Sequence, residues 1–150
     1  MATWQHFIEL LTQEVGAENV EGGADDNKAV VTVKLTAAEG TTEPRRQKVH
    51  FEYDGKDTSW IAVTSFVLSS TEGVNVAPFL KALGEDWRKP AAVIVDGQLA
   101  LRHHISLSAL DGDGDGDTDE QIIKIAFLST AVIGSLADYY EGLLTKKDVK

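Results

Sequence analysis

Two hydrophobic periods alternate along this chain, and their order constrains the fold more than any motif does. Apolar residues recur first at helical spacing, then at every second position, and the switches spell helix, three strands, helix, two strands, long helix. Trp4, Phe7, Ile8, Leu11 and Val15 form the opening stripe, which predicts a helix over 4–15 with Thr3 as N-cap and Gly16 as terminator. The polar, Gly-rich stretch Glu18–Asn27 reads as a loop. Ala29–Thr36 is rich in β-branched residues, with Val31, Val33 and Leu35 on one face, and reads as a strand. Ala37–Gln47, with Gly40 and Pro44 among charges and threonines, reads as a connection.

Lys48–Tyr53 alternates sharply, Val49, Phe51 and Tyr53 against Lys48, His50 and Glu52, as a strand with one wet face does. Asp54–Asp57 is a turn, and Thr58–Leu68 returns as the antiparallel partner. In this third strand Trp60, Ala62, Phe66 and Leu68 share one face, while Ile61, Val63 and Val67 share the other. Both faces are apolar, so either helices cover both or a partner covers one. Burial within the monomer is the commoner arrangement. Val76, Phe79, Leu80, Leu83 and Trp87 make the second helical stripe. Ala92–Val95 and Gln98–Ile105 flank Asp96-Gly97, the pair that favours a type I′ hairpin. A long helix follows to about Leu144, apolar over a wide arc in its first half, which places it between the sheet and a further surface. The tail 145–150 is charged. With no repeat and no dividing linker, residues 1–150 form a single α+β domain, a mostly antiparallel sheet of about five strands packed against helices.

Charge and cysteine usage then narrow the function classes. The chain has no cysteine, which excludes disulfides, thiolate catalysis and cysteine-based metal sites. A net charge of −10 argues against nucleic acid and anionic membranes as partners. Arg45-Arg46 with Lys48 is the only tight basic cluster, and it reads as solvated surface. Met1–His6 carries neither a basic nor an apolar leader segment, and the uncharged stretch Ile125–Ala137 is shorter than the roughly 20 residues of a membrane span. A cytoplasmic protein with no membrane role is the expectation.

The most conspicuous local segment is the Gly-Asp loop 111–117, running on through Asp119 and Glu120. Asp111, Asp113, Asp115, Asp117 and Asp119 place carboxylates at alternate positions, and Asp111-x-Asp113-x-Asp115-Gly116 copies the first half of a calcium-binding EF-hand loop. The second half departs from it: the eighth position holds Thr118 and the twelfth Ile122, where a bidentate glutamate is required. Asp117 with Glu120 also fits a capping arrangement for the long helix, whose positive end favours the carboxylates. His103-His104, adjacent on a strand, point to opposite faces and do not share a metal. No nucleophile elbow, phosphate-binding loop or dinucleotide fingerprint is present, so no catalytic residues and no cofactor are expected, and the chain reads as a non-enzyme.

The second helix Val76–Trp87, the hairpin at Asp96-Gly97, the Leu99-x-Leu101-Arg102 strand, the link through Ile105 and Leu107, and the long last helix together resemble the YbjN-like family, whose fold is similar to type III secretion chaperones. Ala82-Leu83-Gly84-Glu85 stands where that family often carries leucine–asparagine pairs, and the Gly-Asp insert is a further departure. The resemblance implies a homodimeric protein-binding role, chaperone-like or regulatory. Ile61, Val63, Val67, Phe79, Leu80 and Trp87 are the expected partner contacts. The alternative is a weak cation-binding domain acting through residues 111–119.

Overall fold

Alternation of apolar and polar residues over four long strands makes one side of the sheet the more apolar, and three helices gather on that side. The computed structural model describes residues 3–23, 26–35, 45–55, 60–85, 90–107 and 118–148. Helix α1 (Trp4–Val15) begins at Thr3, whose hydroxyl accepts from the His6 amide at 3.1 Å, and ends at Gly16 with φ 92°. A single 3-10 turn, Ala17–Asn19, leads into β1 (Val20–Gly23). Strands β2 (Lys28–Leu35), β3 (Arg45–Tyr53) and β4 (Trp60–Leu68) follow, then α2 (Ala77–Glu85). Strands β5 (Ala91–Val95) and β6 (Gln98–Ser106) form a hairpin, and α3 (Thr118–Asp148) closes the described chain. All neighbours are antiparallel, in the order β1-β2-β3-β4-β6-β5.

The sheet therefore has six strands, where five were expected. The addition is β1, which occupies the Gly-rich stretch read as a loop; it is an edge strand too polar to show a buried face. The second correction concerns β3, which starts at Arg45, inside the expected connection, so that Arg46 and Gln47 are strand residues paired with Lys34 and Val33. The hairpin forms as expected, with Asp96 and Gly97 both at positive φ (51° and 76°), the type I′ geometry that asparagine, aspartate and glycine tolerate.

The core lies between one sheet face and α1 and α3. Phe7, Leu11, Val31, Val49, Phe51, Ile61, Val63, Ile122 and Ile133 are all but inaccessible there. Trp4 stacks on Tyr53 at 5.4 Å between ring centres, and Phe7 meets Phe51 at 5.8 Å. A second cluster joins α2 to the far end of α3, with Leu83, Leu99, Leu101 and Ala137 at its centre and Phe79 against Tyr140 at its edge.

Strand β4 carries a register shift between Phe66 and Leu68. A bulge of this kind adds a residue to one strand and turns the following side chains. It is why Val67 and Leu68, expected on opposite faces, both belong to the second cluster. The β3–β4 pairing runs only from His50–Thr64 to Tyr53–Ile61. Beyond that, the Gln47 side chain takes over: its Nε2 donates to Ser65 Oγ at 3.0 Å and to the Phe66 carbonyl at 2.7 Å, while Ser65 Oγ donates to the Lys48 carbonyl at 2.8 Å. Gln47 and Ser65 are both buried, so these bonds hold the strands together where the ladder stops. Replacing Gln47 by Ala leaves Ser65 and the Phe66 carbonyl without these bonds. It is expected to lower stability by about 1–3 kcal/mol, read as a shift in the urea midpoint at unchanged m-value.

Candidate interaction surfaces

Everything the sequence marked as contact-forming in β4 is core. Ile61 and Val63 are fully buried beneath the helices, and Val67 is 2% exposed in the second cluster. They have no surface left for a partner; of the two arrangements open to that strand, the structure has helices on its Ile61–Val63 side. Phe79 and Leu80 are half-buried on α2 against the second cluster, and Trp87 lies outside the described residues. Asp111, Asp113, Asp115 and Asp117 lie outside them too, and Asp119 is described only as backbone in the first turn of α3. Among the described residues no group of three or more His, Cys, Asp or Glu side chains could hold a metal.

Among the described residues two surfaces are left uncovered. The first is the outer face of α3. Ile122, Ala126, Ser129, Thr130, Ile133 and Ala137 recur at three- and four-residue intervals and face the sheet. The opposite side carries Leu128, Val132 and Tyr139, between 45% and 59% exposed, while Phe127, 51% exposed, lies at the flank of the helix beside Val33 and Lys34 of β2. By length and composition alone Glu120–Gly142 is apolar enough to cross a membrane, but 39% of its most apolar 18-residue window is buried within this domain.

The second surface is the sheet face away from the helices. Register places its side chains in rows: Lys34 opposite Arg46; Thr32 opposite Lys48; Val30, His50, Thr64 and Arg102 in line; then Lys28, Glu52, Ala62 and His104. Trp60 meets His104 edge-on at 6.4 Å, His50 meets Phe66 edge-on at 5.3 Å, and Arg102 Nε donates to Thr64 Oγ1 at 2.8 Å. A shallow depression lies over Ala62, walled by Glu52, Tyr53, Asp54, Trp60 and His104.

The adjacent histidines part as strand geometry requires. His104 is exposed on the open face, whereas His103 points into the helix layer, 3.0 Å from Ser129 Oγ through its Nε2. Burial, and secondarily the field of His104, holds the His103 pKa below its ordinary value. His50 is lowered too, by burial first, with Lys48 acting in the same direction and Glu52 against it. As pH falls through about 6.5 the unfolded chain takes up these protons before the folded one does, so the stability present above that pH declines below it. The melting temperature is expected to fall between pH 7.5 and 5.5, and His103→Gln, which keeps a partner for Ser129, to flatten that slope in a thermal-melt series.

The sequence matches no family model and no curated protein.

Proposed function

We propose that this protein is a non-enzymatic, cytoplasmic protein-interaction module, chaperone-like or regulatory, that works as a homodimer paired through the outer face of α3. The observation that carries this is the exposed apolar stripe of Leu128, Val132 and Tyr139 on a helix whose other side is already packed. Isolated exposed apolar residues need no explanation, but a row of them on one helix face does.

The occupant that suits the stripe is its own copy. From Ile125 to Ala137 the helix has no charged residue, so two antiparallel copies meet without burying a charge. A register that sets Leu128 against Tyr139 also sets Val132 against Ser135, a self-complementary arrangement as a two-fold axis demands. At 31 residues the helix is about 46 Å long, enough to support an interface near the usual 800 Å² per partner. The YbjN-like resemblance implies the same homodimeric, client-holding role. The alternative, a weak cation-binding domain through residues 111–119, rests on residues almost all of which lie outside the described ones.

Sedimentation equilibrium tests the reading. The wild-type chain is expected to be a dimer at micromolar concentration. Leu128→Asp with Val132→Asp is expected to weaken association by at least about 100-fold, with the far-UV spectrum unchanged because both side chains are exposed. A monomeric wild type at tens of micromolar would overturn the dimer.

A further inference from the structure

The open sheet face reverses the sign of the whole molecule at one end. Lys34 on β2 stands directly opposite Arg46 on β3, and Lys48 follows Arg46 two residues on, so it lies on the same face. All three are exposed. Like charges at directly opposed positions of an antiparallel pair are destabilising, and among the described residues no carboxylate pairs with any of the three. The acidic residues of the helices, such as Glu9, Glu120 and Asp138, belong to the layer behind the sheet, and screening over about 8 Å at physiological salt makes the nearer charges decide what this face attracts.

We propose that the Lys34–Arg46–Lys48 cluster is the docking site for an extended acidic segment of a partner protein. An extended chain places alternate side chains about 6.6 Å apart on one face, the same repeat that separates Arg46 from Lys48. Carboxylates at every second position therefore lie over the cations in register, and the third, Lys34, closes the cluster from the neighbouring strand. Past the cluster the face is mixed, with Val30, His50, Thr64 and Arg102 in the next row and Phe66 nearby, and it carries the carboxylates of Glu52 and Asp54 beside the depression over Ala62. A nucleic-acid strand carries a phosphate at every nucleotide and would run onto those carboxylates. A peptide is free to be acidic over two or three positions and apolar or basic beyond them.

The inference rests on the reading of the chain as an interaction module but needs no dimer, because the face is on the opposite side of the sheet from α3. The test is fluorescence anisotropy with three labelled probes: a short peptide carrying aspartate at every second position, its asparagine counterpart, and single-stranded oligothymidine. The aspartate peptide is expected to bind at least about tenfold tighter than the asparagine one, and less tightly as salt rises. Arg46→Glu and Lys48→Glu are each expected to weaken binding about tenfold or more. Arg46→Glu should meanwhile raise the melting temperature by pairing with Lys34, which separates loss of docking from loss of fold. Absence of aspartate-peptide binding below millimolar concentration, indifference to both charge reversals, or tighter binding of oligothymidine would each overturn the proposal. A dimeric wild type that ignores the peptide refutes this site alone. A monomeric wild type that binds it refutes only the α3 pairing.

Discussion

Burial of a single face of β3, β4 and β6 beneath α1 and α3 is the constraint on which the rest of this structure depends. Phe51, Ile61, Val63 and Ile105 present that face, and Phe7, Leu11, Ile122 and Ile133 cover it. Each such side chain contributes about 1.5–3 kcal/mol by leaving water. Because every helix is drawn to one side, the opposite sheet face stays open, and because α3 lies across the sheet its outer side stays open too. Both candidate surfaces are thus by-products of one packing decision.

Much of the architecture was legible in local chemistry. The α1 stripe, its threonine cap and its glycine stop mark a helix whose observed limits coincide with the periodic residues, since all three signals act within one turn of the chain. The Asp96-Gly97 hairpin was equally plain, because few dipeptides adopt two successive positive φ angles. What escaped reading depends on contacts between distant segments. Strand β1 is polar and contains two glycines, and it is a strand because β2 offers it an edge. Arg46 and Gln47 look like connection residues, yet the long β2 ladder holds them extended. The bulge in β4 has no marker at all in Phe66-Val67-Leu68, three apolar residues that fit either register.

The surfaces were less legible than the fold. A helix apolar over a wide arc offers more than one side to the sheet, and the sequence does not show which side meets it. A β4 strand apolar on both faces raised the same ambiguity, and here the helices cover Ile61 and Val63 while Trp60 remains 46% exposed. Net charge misled in a different way. The total of −10 averages over all directions, and strand pairing sets Lys34 on the same face as Arg46 and Lys48, although it precedes them by a full strand and connection.

The contact between α1 and α3 has a kinetic side. These helices come from opposite ends of the described chain, residues 4–15 and 118–148, and they meet over the same strands. Loop-closure entropy must be met before such distant contacts form, and they slow folding relative to local ones. During vectorial synthesis the greasy face of β3, β4 and β6 is therefore complete before the helix that seals its centre has emerged. The nascent domain spends that interval with Phe51 and Val63 under α1 alone, the stage at which general chaperones have most to bind and premature termination has most to expose.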